Sequence, residues 1–344
     1  PMTAPRAGHT ATLLPDGRVL AVGGKDAASA ELYNPATGLW AAAAGGAAVN
    51  RQEHSATPLH DGRVLVVGGQ PAAGGAPLGT AALYDPATNQ WASAPSLGVA
   101  LRRHTATLLA DGRVLVAGGF DSGGARLASA AIYNPANNSW ASTGAMQGAR
   151  ADAAATLLPD GRVLVTGGNS ADGGELYNPA TNSWQAVAGP ATAGQGARVR
   201  HSATLLPSGQ VLMAGGFATG SQTALNSAWI YDPSTNAWSA ATTPQANLGT
   251  GRGGHAAALL PGGQLLLVPQ FTLYADCRKG RRPSFTDAGD PAWAKSMFTD
   301  FVQMVDETCA VSVSSGIFGA DMDVRLCNWG PVTIFLDSAN LFSR

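Results

Sequence analysis

RAGHTATLLPDGRVLAVGG, Arg6 to Gly24, followed by AELYNPATGLW, Ala30 to Trp40, is the phrase that decides the fold. It recurs along the chain as Arg-x-x-His-(Thr/Ser)-Ala-Thr-Leu-Leu-x-Asp-Gly-Arg-Val-Leu-x-x-Gly-Gly, a variable loop, then Ala-x-(Leu/Ile)-Tyr-(Asn/Asp)-Pro-Ala-Thr-Asn-x-Trp. The histidine position falls at His9, His54, His104, Ala153, His201 and His255, at intervals of 45, 50, 49, 48 and 54 residues. The tryptophans are Trp40, Trp91, Trp140, Trp184 and Trp238, and the glycine pairs begin at Gly23, Gly68, Gly118, Gly167 and Gly215. A period of this length marks an array of supersecondary units, none of which buries its apolar face alone.

Each unit reads as four short strands. HTATLL is the first, and Asp-Gly-Arg makes a tight turn because Asp-Gly tolerates positive φ. RVLAVGG is the second, its glycines permitting close approach of neighbouring backbone. AELYNP is the third, ended by proline, and the fourth is centred on the tryptophan. Four strands per unit at this period are expected to form one propeller blade. The Gly-Gly pair, the Tyr and the Trp at blade spacing resemble the kelch repeat family over residues 1–268. The resemblance implies aromatic residues packed between blades and paired glycines near the central axis. The expected fold is therefore mainly β: a kelch-type β-propeller of five full blades plus a partial sixth. That sixth blade is supplied in this span only by GGHAAALL and GGQLLLV. At the other end PMTAPRAGH matches the linker between one unit's Trp and the next unit's His, so an upstream part of the ring is expected. The third and fourth strands of the sixth blade must otherwise come from the C-terminal segment, since an open ring leaves unpaired edges.

Composition agrees with a turn-rich β protein. The 344 residues are 45% hydrophobic but only 12% charged, and 44 of them are glycine; a quarter charged is usual. The net charge of −1 leaves no global electrostatic footprint for nucleic acid or membrane. No run of about 18 apolar residues predicts a transmembrane helix, and no signal peptide is visible. Cys277, Cys309 and Cys327 all lie late in the chain and form neither a disulfide framework nor a zinc pattern. They read as reduced structural thiols, so a cytoplasmic location is expected.

Histidines converging on a propeller axis could bind a metal. Here they recur once per unit beside the same arginine, the pattern of a blade-packing hydrogen bond, and Ala153 interrupts the set. Kelch relatives include copper oxidases, but residues 1–268 contain no cysteine for a Tyr/Cys/His copper constellation. No metal and no cofactor is expected. The variable loops, such as QPAAGGAPLGT and FATGSQTALNS, are small and polar, and leave the ligand of the propeller unknown.

The pattern breaks after Val268. Residues 1–268 hold one lysine, Lys25, whereas the last 76 residues hold two lysines and all three cysteines. DPAWAKSMFTDFVQMVDE is expected to form an amphipathic helix, with Asp290 as N-cap and Pro291 in the first turn. Trp293, Met297, Phe301 and Val305 mark its apolar stripe. DMDVRL and VTIFL, joined by CNWGP, read as a β-hairpin. The predicted domains are a propeller at 1–268 and a small α+β segment at 269–344, with one helix and one hairpin.

Three stretches of this second region, PQFTLYADCRKGRRPSF, GIFGADMDVRL and NWGPVTIFLDS, resemble the C-terminal half of the D-aminoacyl-tRNA deacylases over about residues 262–338. That family's first motif, Ser-Gln-x-Thr-Leu, stands here as Pro269-Gln270-Phe271-Thr272-Leu273. Its second, Asn-x-Gly-Pro-x-Thr, is intact as Asn328-Trp329-Gly330-Pro331-Val332-Thr333. The resemblance implies hydrolysis of the ester between a D-amino acid and the 3′ end of tRNA by a homodimer. Gly330 and Pro331 would present main-chain carbonyls to the substrate's α-amino group, flanked by Asn328 and Thr333. Gln270, Phe271 and Thr272 would line the pocket, with main-chain N–H groups polarising the ester carbonyl. Thr272 is the candidate nucleophile, although the family is also described as using the RNA's own 2′-hydroxyl; its plain alternative is a strand residue. Arg278, Lys279, Arg281 and Arg282 are either acceptor-stem phosphate contacts or a solvated loop. Pro269 replaces the motif serine and removes a backbone N–H, so impaired activity is expected.

Three functional classes follow. The chain is a D-aminoacyl-tRNA deacylase with an appended kelch scaffold, a non-catalytic kelch binding protein, or a fusion of two partial genes without integrated function.

Overall fold

The computed structural model describes residues 2–25, 27–44, 49–169, 173–190, 197–221, 223–241, 253–259 and 265–268. The helix expected from Asp290, the hairpin after it and the segment 269–344 as a whole lie outside the described residues.

Each complete repeat folds into a four-stranded antiparallel meander. Blade 1 comprises β1 (Thr10–Leu13), β2 (Val19–Val22), β3 (Ala30–Asn34) and β4 (Leu39–Ala42). Blade 2 comprises β5 (Ser55–Pro58), β6 (Val64–Val67), β7 (Ala81–Asp85) and β8 (Gln90–Ala94). Blade 3 comprises β9 (Thr105–Leu108), β10 (Val114–Ala117), β11 (Ala130–Asn134) and β12 (Ser139–Ser142). Blade 4 comprises β13 (Ala154–Leu157), β14 (Val163–Thr166), β15 (Gly173–Asn178) and β16 (Ser183–Ala188). Blade 5 is built from β18 (Ser202–Leu205), β19 (Val211–Ala214), β21 (Ala228–Asp232) and β22 (Ala237–Ala240). It carries a small extra ladder, β17 (Arg198–Val199) with β20 (Phe217–Ala218). The sixth position holds the hairpin β23 (Ala256–Leu259) and β24 (Leu265–Val268). The first strands of successive blades, β1, β5, β9, β13, β18 and β23, are spatial neighbours in that order and form the inner wall.

The core follows from strand chemistry. The second strand of each blade, such as VLVV in β6, is buried along its whole length because blades cover both faces. Alternate residues then serve different interfaces. Val64 and Val66 pack with Leu20 and Val22 of blade 1. Leu65 and Val67 pack with Val114 and Val116 of blade 3. Each such side chain gains about 1.5–3 kcal/mol on burial, so stability resides between blades more than within them.

The aromatic motif behaves as the repeat pattern predicts. Tyr84 pairs with Trp91 at 5.1 Å between ring centroids, and both pack on blade 1. The Trp91 indole N–H donates to the Ala44 carbonyl of blade 1 at 2.7 Å, and Trp140 repeats this with Pro95 of blade 2 at 2.8 Å. The motif Asn sits in the turn with positive φ, as Asn89 does at 54°. There it accepts the Tyr84 hydroxyl at 2.8 Å, a partnership repeated by Tyr133 with Asn138, Tyr177 with Asn182 and Tyr231 with Asn236. Asn is among the few side chains that tolerate this backbone region.

The glycine pairs are wedged between loops of adjacent blades. Gly68 has φ of 61°, and a Cβ on it would lie 2.6 Å from the Leu101 carbonyl oxygen of blade 3. The motif arginine clamps this corner: Arg51 donates to the Gly68 carbonyl at 2.9 Å and the Thr80 carbonyl at 3.3 Å. Burial lowers Arg51 to about 10. Arg6 and Arg150 make the same clamp and also pair with Glu31 and Glu175 on the third strand. In the third repeat the position is Leu101, so the arginine is not common to every unit.

Candidate functional site

The described chemistry is concentrated where the loops preceding the inner strands meet around the axis. The residue just before each histidine position, Ala153 included, is Gly8, Glu53, Arg103, Asp152, Arg200 or Gly254. All six have positive φ, between 53° and 73°. This left-handed backbone costs energy for non-glycine residues unless its surroundings enforce it. The enforcing element is a chain of backbone bonds running from blade to blade. Glu53 N–H donates to Gly8 at 2.9 Å, Arg103 to Glu53 at 2.9 Å and Asp152 to Arg103 at 3.0 Å. Arg200 then donates to Asp152 and Gly254 to Arg200, each at 2.9 Å.

The side chains on this backbone chain alternate in sign. Glu53 binds Arg103 through a short ion pair and Arg102 at 2.7 Å. Asp152 binds Arg103 at 3.2 Å and Arg200 at 3.4 Å. Burial pushes the Glu53 carboxyl up, but hydrogen bonds from Arg103 and Arg102 outweigh it and hold the group below the usual carboxylate range. Burial works against the Arg103 charge, and Glu53 and Asp152 overcome it and raise that group. Arg102 and Arg126 also lie over the Phe120 ring, at 5.3 and 5.7 Å from its centroid. In the repeat pattern these positions have no consensus residue. The available signal was the sign alternation Glu, Arg, Asp, Arg at one repeat position.

One step along the chain, the histidines perform the blade-packing role expected of them. Thr10 of blade 1 bonds His54 Nε2 at 2.8 Å, Ser55 bonds His104 at 2.8 Å, and Ser202 bonds His255 at 2.9 Å. Where Ala154 lacks a hydroxyl, Thr166 replaces it and meets His201 at 2.9 Å. Burial, with help from Arg51, pushes His104 down to about 3. Burial, with help from Arg198 and His255, does the same to His201. These imidazoles are neutral packing elements. Among the described residues no group of three or more His, Cys, Asp or Glu side chains is arranged to hold a metal. An open cleft of about 490 Å³ between the turns of blades 4 and 5 is lined by Asp160, Ser208, Gln210, Asp232 and Ser234.

The residues expected to carry catalysis and substrate binding are Gln270, Phe271, Thr272, Asn328, Gly330, Pro331 and Thr333. They lie outside the described residues, as do the basic positions Arg278, Lys279, Arg281 and Arg282. Their assignment rests on sequence. The family model for the kelch motif matches residues 54–98, 101–147 and 199–245. The model for D-Tyr-tRNA(Tyr) deacylase matches residues 255–337.

The chain joins kelch motifs to a deacylase-like segment.

Curated proteins similar to it include D-aminoacyl-tRNA deacylases. That of Desulfovibrio desulfuricans is 84% identical over 81 residues, covering 24% of this chain and 51% of the relative. That of Solidesulfovibrio magneticus is 61% identical over 80 residues, covering 23% and 51%. That of Aquifex aeolicus is 52% identical over 79 residues, covering 23% and 53%. The chain spans about half the length of the curated relatives it matches. The deacylase match begins at residue 255, earlier than the 262 expected from motif resemblance, and so includes the whole β23–β24 hairpin. No helix among the described residues is long and apolar enough to cross a membrane.

Proposed function

We propose that the chain divides into a kelch propeller at 1–268 and a deacylase-like segment at 269–344, and that the latter hydrolyses the ester between a D-amino acid and tRNA in the cytoplasm. The observation carrying this proposal is the 84% identity over 81 residues to a D-aminoacyl-tRNA deacylase. In this proposal Gly330 and Pro331 hold the substrate's α-amino group, with Asn328 and Thr333 supporting them. Gln270, Phe271 and Thr272 line the scissile ester, and Thr272 supplies a hydroxyl there. Arg278, Lys279, Arg281 and Arg282 contact phosphates of the tRNA acceptor end. The segment pairs with a second copy as a homodimer, and the propeller serves as its scaffold. Turnover is slow, because Pro269 lacks the N–H of the motif's usual serine and only half of the relatives' length is present.

The test is release of amino acid from D-tyrosyl-tRNA by the purified full chain, with Thr272→Ala as control. Turnover lost in the variant supports the proposal, and equal turnover in both removes Thr272 from the site. The five complete four-stranded blades favour a second role as a binding scaffold. That role stands alone if no hydrolysis is found while the propeller remains folded.

A further inference from the structure

The axial ion chain ends beside an arginine that it does not neutralise. Arg18 and the other turn arginines meet the aspartate of their own turn. Arg51 and Arg198 donate to glycine carbonyls, and the remaining arginines meet Glu31, Glu53, Asp152 or Glu175. Arg126 alone has no acceptor among the described residues, and its Nε is shut off from solvent. A buried donor without a partner is unfavourable, and an acceptor to which the guanidinium can turn relieves it.

The loop that carries Arg126 is held in place by its own bonds. Phe120 exchanges main-chain hydrogen bonds with Arg102 at 2.8 and 3.1 Å, and Leu127 N–H donates to Gly119 at 2.8 Å. Asp121 Oδ1 accepts the N–H groups of Gly123 and Ala125 at 2.9 and 2.8 Å. The Arg102 and Arg126 guanidinium groups thus stand over one ring, that of Phe120. Among the described residues Glu53 is the one side-chain partner of Arg102, through Nη1, so its other donors are open. The neighbouring step of the chain shows what such a pair of arginines takes: Asp152 Oδ2 sits between Arg103 and Arg200, at 3.2 and 3.4 Å.

We propose that this end of the propeller binds a small carboxylate, which sits between Arg102 and Arg126 as Asp152 sits between Arg103 and Arg200. The proposal concerns the propeller alone and holds whether or not the deacylase-like segment hydrolyses its ester. Arginine's planar fork matches a carboxylate, and lysine does not reproduce that match. Charge favours a monoanion. Arg102, Arg103, Arg126 and Arg200 stand against Glu53, Asp121 and Asp152, which leaves one positive charge to neutralise. A phosphate dianion would overshoot this surplus and face the repulsion of those carboxylates.

The test is titration of the isotope-labelled full chain with sodium acetate, following the arginine Nε–H resonances by NMR, with sodium chloride at equal ionic strength as reference. The Arg126 signal is assigned by its loss in Arg126→Lys. Saturable movement of that signal, with a dissociation constant on the order of 1–10 mM and no saturation by chloride, is expected. Arg63, already paired with Asp61, should not respond. Followed through the Phe120 amide, Arg126→Lys and Arg102→Lys should each bind acetate roughly ten-fold more weakly, and Arg63→Lys as tightly as wild type. No saturation of the wild-type signal below about 100 mM acetate overturns the proposal, and this result does not depend on any variant folding. Undiminished binding in Arg126→Lys overturns it too, as does inorganic phosphate binding more tightly than acetate.

Discussion

Acidification should unfold this propeller through its interblade histidines, well before its carboxylates protonate. His104 and His201 sit at about 3 against an ordinary 6.5. His104 has one acceptor, the Ser55 hydroxyl, while its buried Nδ1 has no hydrogen-bond partner. A protonated ring would need acceptors at both nitrogens. Below pH 6.5 the unfolded chain therefore binds protons that the folded chain excludes. Stability is complete above 6.5 and falls as pH drops toward 3. Between pH 7 and pH 5 each of these two imidazoles removes about 2 kcal/mol, and the pair about 4 kcal/mol. His54, held well below its ordinary value by burial and by Arg51, acts in the same direction. Urea unfolding of wild type and His104→Gln at both pH values measures the effect. The variant should lose about 2 kcal/mol less than wild type on acidification. Equal losses in the two proteins, or a wild-type loss under about 1 kcal/mol, would refute the assignment of these rings as neutral packing elements.

Three further outcomes follow from the same geometry, each read by urea unfolding at pH 7. Leu115→Ala opens a cavity in the interface shared with Val163 and Val165, where Leu115 is 1% exposed; it should cost about 2–5 kcal/mol. Tyr133→Phe removes the 2.7 Å bond to Asn138 and should cost about 1 kcal/mol; no loss would place that turn's stability elsewhere. Glu53→Gln leaves Arg102 and Arg103 without their shared carboxylate and should cost about 1–2 kcal/mol, diminishing as salt is added; a salt-independent cost would contradict an ionic role.

Much of the propeller was legible because its repeat writes the same physical demand several times. Tyr, Asn and Trp recur together because the Asn turn, the hydroxyl bond and the stacked ring form one unit. The Gly-Gly pair recurs because Gly68 and its counterparts face carbonyls of the next blade at distances no side chain fits. The histidine role was legible for the same reason, and Ala154 shows how the device adapts: Thr166 takes over when the strand hydroxyl is absent. The axial ion chain was not legible, because a position occupied by Gly, Glu, Arg and Asp in turn has no consensus. Its common property is a positive φ, and the sign alternates only from Glu53 through Arg103 and Asp152 to Arg200. β23 and β24 were legible as strands but not as belonging to one unit, since a short continuous apolar run suits a buried strand in either setting. The site proposed for the deacylase-like segment, from Gln270 to Thr333, was read from motif residues of the sequence.

The central claim, that a propeller is joined to a segment with D-aminoacyl-tRNA chemistry, is tested most directly by comparing hydrolysis of D-tyrosyl-tRNA and L-tyrosyl-tRNA by the full-length chain and its Pro331→Ala variant. The account predicts slow hydrolysis of the D-ester, none of the L-ester beyond buffer, and loss of the D-activity in the variant. Equal rates for the two enantiomers, or a D-rate no greater than buffer, would contradict it.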